Sequence, residues 1–269
     1  MNVNNNRVLL FLMVSAMLLI SLGCSGFSVS FNTVDVGDLH TTTQTLESND
    51  VDEVRVDIKM GAGELIVDGG ADDLLEAEFT YNVEDCEPEV SYDVNNGKGR
   101  LDIRQPNINE IAFDDDMRYK WDLRFGDTVP IYMGIDIGAG DGEIHLGDVH
   151  VTHLDIKASA GKIDVDLRGN HSLSYAEVDI GAGSLTMDLR GDWEEDVDVI
   201  IEGGVGETSL HLPDDIGVQV EVTKGIGEVT ASGLRKQGDM YVNALYGESD
   251  ITLYVDVHAG IGRIVLIGD

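Results

Sequence analysis

Side chains that could perform chemistry are few and scattered in this chain of 269 residues. The densest acidic cluster is Asp114–Asp115–Asp116, with Arg118 and Lys120 close behind it. Adjacent carboxylates could hold Ca²⁺, which takes several oxygen ligands, and some β-helix enzymes combine such acids with a basic residue. Three consecutive acids cannot easily converge on one ion, however. We therefore interpret the cluster as a solvated loop.

Two further patterns have only a superficial resemblance to known metal-binding and phosphate-binding sites. His145, His150 and His153 are close in sequence, but their spacing matches no established metal-ligand pattern. Gly138–Ala139–Gly140–Asp141–Gly142 lacks the lysine and the following helix of a phosphate-binding loop, and the Ca²⁺-binding β-roll has a much shorter repeat. Ser–His–Asp, HExxH and paired-cysteine signatures are also absent from the sequence. The sequence thus predicts a protein that is not an enzyme and has no catalytic residue, metal site or cofactor.

The charge of the chain excludes one class of partner. Lys and Arg total 17 against 51 Asp and Glu, which gives a formal net charge of −34. Nucleic-acid binding requires a basic surface, so no nucleic-acid partner is expected. The same charge argues against flat docking on anionic lipid. A solvated acidic surface, which keeps a protein soluble, is the simplest interpretation.

The N-terminus has the features of an export signal. An uncharged run from Val8 to Leu22 is shorter than the ~20 residues of a transmembrane helix and suits the hydrophobic region of a signal peptide. Its end, Ile20–Ser21–Leu22–Gly23–Cys24–Ser25, resembles the lipobox of secreted lipoproteins, with Ser21 where leucine is more common. We predict a signal peptide over 1–23 and lipidation at Cys24. Ordinary signal cleavage that leaves Cys24 as a thiol is the alternative.

A lipidated Cys24 would make the membrane a partner through acyl chains rather than through a spanning segment. We accordingly expect an extracytoplasmic lipoprotein at the cell envelope. Cys86, the other cysteine, then has no intrachain partner and is predicted to be a small buried residue. Residues 24–50 are rich in Ser, Thr, Asn and Asp, which indicates a polar tether or an edge segment.

A repeated unit organises the rest of the chain. In residues 135–146, apolar and polar residues alternate on both sides of a Gly-rich corner, which is typical of two short strands. Glycine suits such a corner because it permits positive φ and close backbone approach. The predicted corner glycines are Gly61, Gly63, Gly138, Gly140, Gly161, Gly181, Gly183, Gly204, Gly206, Gly225, Gly227, Gly260 and Gly262.

The spacing of the corners favours stacked repeats. The last glycines of successive corners, counted at positions 142, 161, 183, 206, 227, 247 and 262, are 19, 22, 23, 21, 20 and 15 residues apart. A period of about 20 residues is typical of a solenoid, and the short final step indicates an atypical terminal repeat. We predict an all-β solenoid with an N-terminal region over 51–134 and Gly-rich repeats over 135–269. A β-sandwich of Gly-tipped hairpins is the alternative.

Several motifs resemble the toast-rack domain family, in its N-terminal version followed by Gly-rich repeats of the adhesin type. The resemblance covers roughly residue 51 to the C-terminus and rests on Val54–Arg55–Val56, Gly61–Ala62–Gly63–Glu64–Leu65, Ala77–Glu78–Phe79–Thr80–Tyr81–Asn82, Pro88–Glu89–Val90, Gly99–Arg100–Leu101, Trp121–Asp122–Leu123 and Gly138–Ala139–Gly140. It implies a right-handed β-helix-like fold outside the cytoplasm, without catalytic residues. Some members are described as adhesins. Others belong to membrane regulators of envelope stress, which usually carry transmembrane helices beside the domain.

Together these observations predict a non-enzymatic, lipid-anchored β-solenoid that acts as a surface adhesin or interaction scaffold. The alternative is an accessory component of cell-envelope stress sensing that signals through an envelope or membrane protein. A polysaccharide-active β-helix enzyme would need acids and a basic residue converging in one groove, and the regular spacing of the aspartates does not indicate one.

Overall fold

The computed structural model describes residues 36–49, 51–106 and 116–268. The predicted signal peptide, Cys24, Asp114 and Asp115 lie outside these residues. Within them no helix is long and apolar enough to cross a membrane. One short 3-10 helix, Glu84–Cys86, accompanies the strands β1 His40–Leu46, β2 Glu53–Gly69, β3 Leu75–Tyr81, β4 Glu89–Asn95, β5 Lys98–Arg104, β6 Tyr119–Phe125, β7 Ile131–His145, β8 Val151–Asp166, β9 Tyr175–Asp188, β10 Val197–Leu212, β11 Gly217–Ser232, β12 Arg235–Gln237, β13 Met240–Val242 and β14 Thr252–Gly268.

Seven strands in the described part of the chain are much longer than the others, at 14 to 17 residues, and we call them rungs: β2, β7, β8, β9, β10, β11 and β14. A central glycine with positive φ divides each rung into a first arm and a second arm. The two arms of β2 pair with different short strands, the first with β5 and the second with β6. The corner thus bends one continuous strand so that its two arms pair with different parts of the sheet.

The rungs pair in parallel and in register in the order β2, β7, β8, β9, β10, β14, β11. Hairpin arms would pair antiparallel, so the parallel stack confirms the predicted all-β solenoid architecture over the sandwich of hairpins. Short strands extend both ends of the described sheet. β5 and β4, and β6, β3 and β1, continue from β2, and β13 and β12 continue from β11.

The last rung does not lie at the end of the stack. β14 pairs with β10 through fifteen residues and with β11 on its other side. The prediction that the final repeat is a terminal one was therefore wrong. The count of corners also needs two corrections, because Gly140 rather than Gly142 aligns with Gly161, and Gly247 lies in a turn beyond β13.

The alternation of apolar and polar residues along each rung gives both arms one apolar side, and these sides form the core. Ile135 and Ile144, on the two sides of the β7 corner, are 1% and 0% exposed, and equivalent positions of the neighbouring rungs are also buried. An isolated two-arm strand could not remove this apolar surface from water. Stacking removes it and supplies hydrogen-bond partners for the backbone at the same time.

Two elements lie at the predicted domain boundaries. His40–Leu46, within residues 24–50, is the edge strand β1, which pairs antiparallel with β3, so this part of the segment is the expected edge segment rather than a tether. Strand β7 runs continuously across residue 134, the predicted boundary between the N-terminal region and the repeats. It pairs in parallel with β2 on one side and with β8 on the other.

Buried asparagines hold the connections between rungs. The Asn170 side chain is 1% exposed and lies between β8 and β9. Its Nδ2 donates to the carbonyls of Leu146 and Val149 at 2.8 and 3.0 Å, and its Oδ1 accepts from the amides of Ser172 and Leu173, each at 3.1 Å. One side chain thus accepts from two amides of its own turn and adds a second donor to two carbonyls of the preceding turn, which already accept from the amides of Val149 and Val151.

Candidate binding face

The outward side of the first arms carries a column of aromatic rings. Tyr132, His153 and Tyr175 each lie eight residues before the central glycine of their rungs, so parallel stacking places them side by side. The rings of Tyr132 and His153 are stacked at 5.4 Å between centroids and 16° between planes. The rings of His153 and Tyr175 follow at 6.2 Å, tilted by 42°. We call these first-arm outward residues, with those that continue the column, the ladder face.

An ion cluster continues the ladder face towards β5. The Arg55 guanidinium lies 4.4 Å from the Tyr132 ring centroid and donates from Nε to both oxygens of Asp57 at 3.2 Å. Arg100 Nη2 donates to Asp57 Oδ2 at 2.7 Å. Asp57 is only 8% exposed, and two cations compensate its burial. The hydrogen bond to Asp57 raises the pKa of Arg55, which keeps its guanidinium protonated.

The other end of the column is acidic. Tyr175 Oη donates to Glu177 Oε2 at 3.0 Å, and partial burial together with this bond raises the pKa of Tyr175. From Arg100 to Glu177 the connected groups span five neighbouring strands, a length of about 19 Å at the usual strand spacing. Aromatic edges, cations and carboxylates on one flat surface can form many separate contacts with a partner.

The outward side of the second arms is a separate polar surface. His145 Nδ1 lies 2.6 Å from Asp68 Oδ1, and the pair borders a shallow open depression with Asp166 and Arg168. Arg168 Nε lies 3.0 Å from the Asp166 carboxylate, and its hydrogen bonds lower the pKa of Asp166. Asp188 is further buried, which opposes ionisation, but its bonds from Arg190 give it a lowered pKa as well. These are compensated ion pairs within an acidic surface.

The histidines considered as metal ligands do not converge. His145 lies on the second arm of β7, His153 on the first arm of β8, and His150 in the turn between those strands. Asp116, the described member of the acidic cluster, is exposed. No group of three or more His, Cys, Asp or Glu side chains among the described residues is arranged to hold a metal ion.

The predicted corner glycines occupy two columns of the stack. The second glycine of each corner pairs with its counterparts, in the spatial order Gly63, Gly140, Gly161, Gly183, Gly206, Gly262 and Gly227. Gly183 has φ +138°, and a Cβ built on it would lie 1.8 Å from the Gly161 carbonyl oxygen. The first column tolerates Ser159, flanked by Gly138 and Gly181. Glycine is thus required more strictly in the second column than in the first.

Cys86 is buried and free, in agreement with the expectation of a small core residue. Burial, assisted by the negative charge of Asp85, raises the pKa of its thiol to about 11. A neutral buried thiol is a poor nucleophile. Cys86 therefore takes part in packing rather than chemistry.

Sequence reasoning did not single out the ladder face. The Tyr132, His153 and Tyr175 side chains are 21 and 22 residues apart, a spacing that has no meaning until the repeats are aligned on their central glycines. Such an alignment places all three at the same offset. That signal was available in the sequence.

Comparison with known structures supports the fold. A crystal structure from Clostridium sporogenes, described as a "putative cell adhesion protein", is 25% identical and has a TM-score of 0.66, with 86% of this chain and 100% of that chain covered. A "putative adhesin" from Bacteroides fragilis is 11% identical over 87% and 99% of the two chains, with a TM-score of 0.30. A "putative lipid binding protein" from Parabacteroides distasonis is 14% identical over 86% and 97%, with a TM-score of 0.33. The last two scores are too low to support an inference.

A comparison with curated protein sequences finds no match. The sequence profile described as the N-terminal domain of toast_rack, DUF2154, matches residues 35–176 and 170–211. These segments begin before β1 and extend through β10, so they include the short strands that continue from β2 as well as the first five rungs in space. The chain therefore belongs to the toast_rack family, as its Gly-rich corners indicated.

Proposed function

We propose that this protein is a non-enzymatic adhesin or interaction scaffold that binds its partner through the ladder face. The observation that carries the proposal is the connected column from Arg100 through Tyr132, His153 and Tyr175 to Glu177. Its side chains are fixed by rigid rungs, so little conformational entropy is lost when a partner binds. Arg55, Arg100 and Tyr175 already have hydrogen-bond partners within the face, which leaves the aromatic edges available for contact.

The description of the Clostridium sporogenes structure as a cell adhesion protein supports an adhesive role at the cell surface. We further propose that Cys24 is lipidated and attaches the chain to an extracytoplasmic membrane surface. Acyl chains would then anchor the stack and leave the ladder face accessible to a partner in the envelope or on another cell. The alternative role, as an accessory of envelope-stress sensing, differs in requiring a membrane-spanning partner.

A double variant tests the ladder face. Tyr132→Thr with Tyr175→Thr removes two rings but retains residues that favour strands. His145→Thr with His211→Thr is the matched control, since these side chains lie outward on the second arms of β7 and β10, away from the ladder face. Beads coated with each protein would be measured for attachment to native envelope material. We expect the ladder variant to lose most attachment and the control to retain it.

Equal attachment of the two variants would refute the ladder face as the binding surface. Circular dichroism and urea unfolding of both variants would establish that the stack is intact.

Membrane fractionation of the full chain and its Cys24→Ser variant tests the anchor. We expect the native chain in the membrane fraction and the variant in the soluble fraction. Identical fractionation would refute the lipid anchor. Crosslinking of the anchored protein in its native cells distinguishes the two roles, because recovery of a membrane-spanning signalling protein would favour stress sensing over adhesion.

A further inference from the structure

Among the residues that the structure describes, the stack has an exposed edge at β11. Within the described residues, β13 pairs with β11 at Gln219–Glu221, and the stretch from Thr223 to Ser232 has a partner on one side, in β14. Ile226, at the β11 corner, is 73% exposed. An open edge with an exposed aliphatic residue is a template for pairing with another strand. The end of this stack therefore needs a feature that prevents further pairing.

One column of inward-facing residues is apolar along the stack but ends in a charged residue at β11. Three residues before the central glycine, the rungs carry small or aliphatic residues, in the spatial order Met60, Ile137, Ala158, Ile180, Gly203 and Ala259. The first four are at most 5% exposed. At β11 the same position is Lys224, which is exposed. A lysine thus stands where every earlier rung has a residue suited to burial.

The Lys224 side chain also lies in the space that the corner of a further rung would occupy. The carbonyl of each central glycine is directed at the following rung, because a Cβ on the following glycine would lie 1.7 to 1.9 Å from its oxygen. The Gly227 carbonyl on β11 is directed in the same way at the open end. Lys224 Nζ donates to that carbonyl at 2.7 Å. The ammonium group therefore lies where the corner of another rung would have to pack.

We infer that Lys224 closes the end of the stack against a second copy of this chain. A second copy that paired its own β11 edge with this one would displace the ammonium group from Gly227. It would also enclose the lysine charges in the inward column, where no carboxylate of the column compensates them. Burying an uncompensated charge is strongly unfavourable, so the interface stays closed although Ile226 and the open backbone favour it.

Replacement of the lysine tests this inference. Lys224→Ile restores an aliphatic residue to the inward column. Lys157→Ile is the matched control, since Lys157 is an exposed lysine on the first arm of β8, a rung with neighbours on both sides. We expect Lys224→Ile to lower the dissociation constant for self-association about tenfold or more in sedimentation equilibrium of the full chain in detergent. Lys157→Ile and the charge-retaining Lys224→Arg should associate as weakly as the native chain.

A second substitution locates the interface. Adding Ile226→Asp to Lys224→Ile should return self-association to the native level, because the new charge lies at the same open corner. Persistent association of the double variant would place the interface elsewhere and overturn the inference. Equal association of Lys224→Ile and the native chain would overturn it as well. If Lys224→Ile does not fold, as judged by circular dichroism, Lys224→Ala provides the same comparison with a smaller side chain.

Discussion

Substitution of Gly183 by alanine separates two reasons why a corner requires glycine. The residue has φ +138°, a backbone region that other residues rarely adopt, at a cost of ~1–3 kcal/mol. The new Cβ would also lie 1.8 Å from the Gly161 carbonyl oxygen, whereas real Cβ contacts are essentially never under 3.0 Å. Strands β8 and β9 would have to separate by about 1.2 Å at the corner, the difference between those two distances.

Such a separation would weaken the backbone hydrogen bonds next to the corner. If two of these bonds are lost at ~1 kcal/mol each, their loss adds to the backbone strain. The total is about 4 kcal/mol, a large share of the ~5–15 kcal/mol that stabilises a typical domain. The melting temperature should then fall by roughly 8–16 °C for a chain of this size.

Two other glycines provide matched controls. Gly247 has φ +82°, and no atom lies within 4 Å of the place that a Cβ would occupy, so Gly247→Ala should cost only ~1–2 kcal/mol of backbone strain. Gly203 lies in a rung with an ordinary φ and a nearest atom at 3.7 Å. Gly203→Ala should leave stability unchanged or raise it by up to ~1 kcal/mol, because alanine restricts the unfolded chain.

Urea unfolding and differential scanning calorimetry of the three alanine variants would give their order of stability. The expected order is Gly203→Ala above Gly247→Ala, with Gly183→Ala well below both. A loss for Gly183→Ala no greater than that for Gly247→Ala would show that close approach between rungs contributes nothing, and would refute the steric argument.

Three further outcomes are expected. Cys86 is buried, and its pKa is raised to about 11. In a Cys24→Ser background, a thiol reagent should therefore modify Cys86 at least ~100-fold more slowly in native buffer than in denaturant. Equal rates would contradict the burial of Cys86. The bond from Arg168 lowers the pKa of Asp166, so this stabilising contribution is present above the ordinary aspartate pKa of about 3.9 and is lost as pH falls through the lower folded value. Arg168→Ala should raise that pKa in a carboxyl NMR titration with little effect on stability at neutral pH, because an exposed ion pair is screened by solvent, whereas an unchanged titration would exclude the pairing. Asn170→Ala should cost roughly 3 kcal/mol in urea unfolding, since the amides of Ser172 and Leu173 lose their acceptor and two carbonyls lose one of their two donors, and a loss below ~1 kcal/mol would show that water replaces the side chain.

Local features of the fold were predictable because they depend on local physics. Alternation around Gly138–Ala139–Gly140 specifies which residues face the core, and the glycines specify a corner, whatever rung lies next to it. The spatial order of rungs was not predictable in this way. The rungs share one register and one apolar pattern, so β11 and β14 satisfy the same pairing rules in either position.

The exact bounds of the edge strand and the ladder face could not be predicted from the sequence, for different reasons. His40–Leu46 is exposed or half-exposed along its length, so it has no apolar period to detect, and its position depends on pairing with β3. The ladder residues are half-exposed and belong to three different repeats. A column across repeats becomes visible only when the repeats are aligned on the glycines, and the ion cluster at Asp57 depends further on the side-chain geometry of β5.

The position of β14 between β10 and β11 has a consequence for how the chain can assemble. In a stack that follows chain order, each repeat docks on a completed neighbour as it is synthesised, and loss of the last repeat merely shortens the stack. Here β11 has no rung to dock on until the final seventeen-residue strand is present. Truncation before Thr252 would therefore remove an interior rung and separate β11, β12 and β13 from the rest of the sheet. The stack can be completed only after β14 has been synthesised, which makes this strand a late and decisive participant in folding.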